Sequence, residues 1–325
     1  MNRLSLSAPR SLLGAALVAL GLLAGCGGAT QIERFEPTRL LVFGDELSVI
    51  DDSASPGNGR KYTVNALSAD NLAIVCSNNP LWVQSLAASF GLVLPQCNPN
   101  AVAAPASRIY AVPNARAAEL AAQVDQHLLA GGNFSAKDLA TVLVGMHDVL
   151  DQYARYPAVG QDQLVAAVEQ AGTTVGATVN RIAQAGGKVL IATVPDMGLT
   201  PFALAQNTST GDPTRAALLT RLTARFNAKL RTTLPEDGGR SIGLVLADEL
   251  TQLVAKNPTT SGFANVIDAS CDPALAPTLP QCTTQTLVTA ATTTTYLWAD
   301  TLRPGPIYQR NLGSLAITRA RGNPF

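Results

Sequence analysis

The sequence has no cluster of basic side chains. Lys and Arg together number 23, as do Asp and Glu, so the formal charge is zero. Only Arg3 and Arg10 precede Cys26; beyond it 21 basic side chains face 23 acidic ones. Nucleic-acid binding and adhesion to anionic lipid both draw on clustered Lys and Arg, so neither class is indicated. Histidine is scarce: His127 and His147 are the two in 325 residues, and none follows them. No Cys-x-x-Cys pair occurs and neither histidine lies near a cysteine pair, which argues against a zinc site. No internal repeat is present, and beyond residue 38 no linker is long enough to divide the chain. The length suits one large domain behind a leader.

The leader is the first feature that is present. Arg3 and Arg10 precede the apolar run SLLGAALVALGLLAG, residues 11–25, and then Cys26. That run falls short of the ~20 residues that span a bilayer and matches the apolar stretch of a secretory signal. LAGC, Leu23 to Cys26, resembles the bacterial lipobox. The resemblance implies cleavage before Cys26 and lipidation of its thiol and amine. Each buried CH₂ of such chains contributes ~0.8 kcal/mol to anchoring. Gly27 stands where an Asp would retain the protein at the inner membrane, so the outer membrane is the implied destination. The expected division is a signal peptide over 1–25, a polar tether over 26–38 and one domain over 39–325.

Four cysteines remain: Cys76, Cys97, Cys271 and Cys282. An even number in an exported chain points to disulfides, with three connectivities possible. The local pairs Cys76–Cys97 and Cys271–Cys282 are the simplest, each closing a surface loop.

Hydrophobic periodicity supplies the fold class. Buried strands are expected at RLLVFG (39–44), LATVLVG (139–145), KVLIATVP (188–195) and SIGLVLAD (241–248). Between and after them run helical patterns: LWVQSLAASFGL (81–92), a helix capped by Asn114 and ending at Gly131–Gly132, one over about 161–184, TRAALLTRLTARFNAKL (214–230), DELTQLVAK (248–256) and the closing GPIYQRNLGSLAITRA (305–320). Residues 51–79 read as a long loop. Apolar strands alternating with helices imply a three-layer α/β fold with a mostly parallel sheet. Ligand groups in such sheets gather at the carboxyl ends of the strands. Gly44-Asp45-Glu46, Gly145-Met146-His147-Asp148 and Pro195-Asp196-Met197-Gly198 all stand there.

Several segments, in order, resemble the SGNH/GDSL hydrolase family: FGDELS (43–48), KYTVN (61–65), YAVPNAR (110–116), LVGMHDVL (143–150), VPDMGLTP (194–201), RFNAKL (225–230), NPTTSGFANVIDASC (257–271) and YLWADTLRPGPIYQRNLG (296–313). The likeness covers most of residues 39–320. It implies the SGNH, flavodoxin-like architecture and serine ester hydrolysis. Yet the four residues that name the family are all replaced. The Ser position holds Glu46, the Gly position falls at Pro113–Asn114, the Asn position holds His147 and the His position holds Arg303. The acidic partner of the family's His matches Asp300, and Asp45 and Asp148 match structural positions.

The chemistry of a Ser-His-Asp site cannot run on this set. The His must take the Ser proton while the Asp orients it, and an oxyanion hole then stabilises the intermediate. Arg303 cannot serve as that base, since its pKa lies above ~12. Glu46 places a negative charge where the oxyanion would form. Ser48 is a conceivable displaced nucleophile but matches a structural Ser of the family. His127 reads as a polar helix-surface residue. His147 beside Asp148 is a polar cleft residue or a general base. A metal held by Asp45, Glu46, His147 and Asp300 is conceivable from residue types, but Arg303 would compete for the carboxylates. The reading is therefore an envelope lipoprotein that binds a small polar ligand or an envelope partner, without cofactor, metal or serine chemistry. An active ester or acyl hydrolase with rearranged residues is the alternative. Glu46 and Arg303 replace two residues that touch in the family, and a charge-assisted pair is expected between them.

Overall fold

Five parallel strands form the central sheet: β1 (Arg39–Gly44), β4 (Arg108–Ile109), β5 (Asp138–Leu143), β6 (Lys188–Ala192) and β7 (Ile242–Val245), in the spatial order β4-β1-β5-β6-β7. The structure is a computed structural model and describes residues 35–235 and 240–322. The leader features at Arg3, Arg10, Leu23–Cys26 and Gly27, and most of the tether, lie outside the described residues. Two short strands, β2 (Ile50–Asp51) and β3 (Arg60–Lys61), pair antiparallel, and β8 (Asn265–Ala269) pairs in parallel with β9 (Tyr296–Trp298). The helices are α1 (Trp82–Ser89), α2 (Ala117–Leu129), α3 (Met146–Ala154), α4 (Gln161–Gln184), α5 (Pro201–Thr210), α6 (Arg215–Thr233), α7 (Ala247–Lys256) and α8 (Pro306–Arg321).

The strands are largely apolar because both faces of the sheet are covered. In β5 every residue from Asp138 to Leu143 is buried. One core gathers Leu41, Phe43, Val142 and Ile191 with Leu120, Val179, Leu222 and Phe226 from α2, α4 and α6. The opposite core gathers Leu40, Val42, Leu139 and Leu190 with Trp82, Leu86, Tyr308 and Leu312 from α1 and α8. This alternation along β1 is the period of two that sends successive side chains to opposite faces. The mostly parallel, helix-flanked α/β architecture expected from the sequence is the one present.

Numbered by their order along the chain, the sheet strands run 2-1-3-4-5, the flavodoxin-like order, which reverses between β1 and β5. Open α/β sheets hold their ligands in a crevice at such a point, outside the carboxyl ends of the strands. Two glycines make it possible. Gly44 has φ +128°, and a Cβ on it would lie 2.0 Å from the Leu143 carbonyl oxygen. Gly145 has φ +131°, and a Cβ there would lie 2.3 Å from the Phe226 ring. Neither position accepts another residue without moving backbone or core.

Both expected disulfides are present. Cys76–Cys97 and Cys271–Cys282 have Cα separations of 5.7 and 5.9 Å. Closing loops of this length contributes about 3 kcal/mol each on the chain-entropy account. The second closed loop packs on a small third core of Val64, Ala276, Leu279 and Ala299 with Cys271 and Cys282. Asn65 ties residues 61–65 to that loop: its side-chain amide donates to the carbonyls of Lys61, Thr63 and Cys282.

Lys61 shows how the first loop is held. The side chain is fully buried and its ammonium donates to three carbonyls, of Cys76, Asn78 and Asn79, at 2.9, 2.5 and 2.9 Å. Burial pulls its pKa down to about 7. Lys61→Met is expected to lower the unfolding free energy by about 1–3 kcal/mol, because it strips the donor from buried acceptors. Urea denaturation reads this; no change in midpoint would show that these carbonyls are satisfied otherwise.

Two sequence expectations need correction. The second helix starts at Ala117 with Arg116 at its N-cap, not with Asn114 as cap. Asn114 instead sits at φ +62° in the preceding turn. His127 is not a surface residue. It is buried, with Nδ1 3.0 Å from the Tyr110 hydroxyl and Nε2 3.0 Å from the Asn133 carbonyl. A carbonyl only accepts, so Nε2 carries the proton and Nδ1 takes the Tyr110 hydroxyl.

Candidate functional site

The chain leaves β1 through Gly44 into a 3-10 turn, Glu46–Ser48, capped by the Asp45 carboxylate, whose Oδ1 accepts the Leu47 N–H. This turn aims Glu46 into the crevice. Asp45 itself points inward and is fully buried, and its Oδ2 has no partner among the described residues. Burial, and then the neighbouring Glu46 charge, push its pKa well above the usual carboxylate range. Ser48 is also buried and accepts the Trp82 indole N–H at 3.0 Å. It faces the α1 core, which removes it as a nucleophile for the crevice.

The Glu46 carboxylate is the hub. Its side chain is fully buried. Arg303 donates to Oε1 from Nε at 2.9 Å and from Nη2 at 2.8 Å. The Asn114 backbone N–H donates to Oε2 at 2.9 Å. His147 Nε2 lies 2.9 Å from both oxygens. Burial opposes ionisation of Glu46. The His147 hydrogen bond and charge, the Arg303 charge and the Asn114 N–H outweigh it and bring the pKa down to about 2.

Arg303 follows β9 in a tight turn. Its own carbonyl accepts the Ala299 N–H, and its backbone N–H donates to Asp300 Oδ1 at 2.6 Å. Nη1 donates to Asp300 Oδ2 at 2.8 Å. The guanidinium is thus shared between two carboxylates, which raise its pKa against the opposing effect of burial. Asp148, in the first turn of α3, accepts the Ala117 N–H at 2.9 Å and so ties the start of α2 to α3. Burial raises Asp148 to about 6, against the stabilising backbone N–H groups.

The expected approach of Glu46 to Arg303, with Asp300 sharing the Arg, is therefore present. The contact between Glu46 and His147 was not anticipated, nor was the Asn114 N–H on Glu46. Pro195–Gly198 lies apart in role. Asp196 is buried, accepts Gly198 N–H and Thr220 Oγ1–H on Oδ1, takes Gln252 Nε2–H on Oδ2, and so fixes a turn. Among the described residues no group of three or more His, Cys, Asp or Glu is placed to hold a metal ion.

No family model matches the chain, and no curated protein matches it. Solved structures do. The acetylxylan esterase Axe2 of Geobacillus stearothermophilus aligns at 13% identity over 90% of this chain and 98% of its own, with a TM-score of 0.45. A single-residue variant of that enzyme reaches a TM-score of 0.48 at 12% identity. A lipolytic protein of the G-D-S-L family from Veillonella parvula DSM 2008 aligns at 10% identity over 86% of this chain and 96% of its own, with a TM-score of 0.43. At these identities and scores the likeness assigns this chain no activity and no residue role, and the account of the site rests on its own geometry.

Proposed function

We propose that the protein is an exported, lipid-anchored binding protein. Its crevice has the layout of an ester-hydrolase site but no serine acyl-transfer chemistry. The observation that supports this most is the state of Glu46. A carboxylate with pKa about 2, fixed by Arg303, His147 and Asn114, occupies the place where a nucleophile would stand. The one serine in that turn faces Trp82. The guanidinium in place of a basic imidazole takes up no proton at neutral pH. A fluorophosphonate probe is expected to leave the purified protein unlabelled. Covalent labelling at any serine of the crevice would instead favour the rearranged hydrolase.

The anchor rests on Leu23–Cys26 and the short apolar run before it, and the outer-membrane destination on Gly27. Cys26→Ser is expected to abolish incorporation of labelled palmitate and to move the protein from the detergent phase to the aqueous phase. Equal palmitate incorporation by the variant would show that the anchor lies elsewhere.

A further inference from the structure

The sequence scatters its basic side chains, but the sheet lines them up. Each of its five strands begins at one. Arg108 opens β4, Arg39 opens β1, Lys137 precedes β5, Lys188 opens β6 and Arg240 stands two residues before β7. The strands are parallel and paired in register, Arg39 against Asp138, Leu139 against Lys188 and Val189 against Ile242. All five residues therefore stand at the amino-terminal end of the sheet. With strands about 4.8 Å apart, the row is roughly 20 Å long. Glu46, His147 and Arg303 lie at the opposite, carboxyl-terminal end.

Part of this charge is matched. The buried Asp138 accepts from Nε and Nη2 of Arg39 at 2.6 and 2.9 Å, and Arg181, near the end of α4, pairs with Asp125. Arg108, Lys137 and Arg240 are exposed and form no ion pair among the described residues. The Lys188 ammonium donates to the Arg240 carbonyl. Arg321, at the end of α8, donates to the Ser89 carbonyl and lies over the Phe90 ring. Phe35 packs edge-on against that ring, 6.4 Å between centroids. The acids that oppose these five cations are Glu36 and, just before Arg240 in the sequence but outside the described residues, Glu236 and Asp237. The same end carries an apolar tip. Leu128 and Leu129 close α2, and Leu129 is 88% exposed. They stand near Arg39, because His127 and Arg39 share the Asn133 carbonyl as acceptor.

Cations beside an exposed apolar tip suit the headgroup layer of a bilayer, where Lys and Arg meet lipid phosphates and Leu enters the acyl boundary. A soluble polyanion would use the cations and leave Leu129 in water. The chain also enters the domain here, since Phe35 is nine residues beyond Cys26 in the sequence. We propose that the amino-terminal end of the sheet is a docking face for anionic phospholipid, made by Arg108, Lys137, Lys188, Arg240 and Arg321 with Leu129 as its apolar contact. Adhesion to anionic lipid, for which the sequence has no basic run, is on this account a property of the fold. The step rests on the lipid-anchored reading above, and it turns the crevice away from the membrane.

Co-sedimentation of the mature protein carrying Cys26→Ser tests the face without the anchor. The probes are vesicles of phosphatidylcholine alone and of an equimolar mixture with phosphatidylglycerol. Binding to the mixed vesicles is expected at low salt and is lost at ~1 M salt, where the Debye length falls to about 3 Å. Lys137→Glu with Arg240→Glu is expected to weaken it at least about tenfold, and Leu129→Ser about threefold. Thermal melting checks that each variant folds; if the double variant does not, Lys137→Gln alone is expected to weaken binding about fivefold. No binding to the mixed vesicles, equal binding to phosphatidylcholine alone, or binding unchanged by the charge variants would overturn the proposal. Binding to duplex DNA as tight as to the mixed vesicles would show a general affinity for polyanions and overturn the lipid assignment. Failure of the anchor reading is seen separately, in the palmitate experiment, and leaves this result intact.

Discussion

Arg303→Met is expected to lower the unfolding free energy by about 3–5 kcal/mol, the cost of leaving a buried carboxylate without its counter-charge. Glu46 cannot escape to solvent, because the backbone of its turn and the Asn114 N–H fix it in place. Met fills a similar volume but offers no donor to Oε1, and Asp300 then faces Glu46 without the cation between them. The double variant Glu46→Gln with Arg303→Met is expected to recover a large part of that loss, because the orphaned charge is gone. Urea denaturation of the two single variants and the double variant gives the coupling directly. Additive losses would mean that the pair contributes little. The same pairing sets an acid limit. The Glu46 pKa is depressed, so its contribution is fully present above the unfolded value near 4.5 and is lost as pH falls toward about 2. Asp148 works in the opposite sense: its raised pKa gives a contribution present at low pH that is lost as pH rises through about 6.

The second large effect is a gain. Glu46→Ser with Arg303→His rebuilds a nucleophile and a base, with Asp300 in place to orient the imidazole. That double variant is expected to remain nearly inactive, because only the Asn114 N–H stands ready as an oxyanion donor and the second donor position still holds the His147 imidazole. The positive φ of Asn114, together with its N–H directed at Glu46, identifies it rather than Pro113 as the position a glycine would occupy. Adding Asn114→Gly and His147→Asn is expected to raise ester hydrolysis by at least about 100-fold over the double variant, the usual effect of one oxyanion donor. Hydrolysis of p-nitrophenyl acetate at fixed protein concentration measures it. Equal rates for the double and the quadruple variants would show that this crevice is not a displaced oxyanion site.

Much of this was legible in the sequence, for identifiable reasons. The sheet strands are continuous apolar runs because helices cover both faces, and such runs stand out against any background. The Glu46–Arg303 pair was readable because the resemblance aligns the two residues with positions that touch in the family. His147 was harder. It lies 101 residues from Glu46, and no local pattern marks that contact. His127 was misjudged although a signal existed. Ala117, Leu120, Val124 and His127 fall at helical spacing on one face, and all four are buried. Lys61 left no trace at all, since its three carbonyls lie 15–18 residues further on, in a loop without periodicity.

If the crevice performs no serine acyl transfer, the unmodified mature protein hydrolyses neither p-nitrophenyl acetate nor p-nitrophenyl octanoate. The expected rate is no greater than that of the same protein after heat denaturation, at any pH from 5 to 9, on the order of the uncatalysed reaction. Turnover that saturates with substrate and survives in a Glu46→Gln, Ser48→Ala variant would contradict the account, because it would require a nucleophile in the crevice other than the positions described.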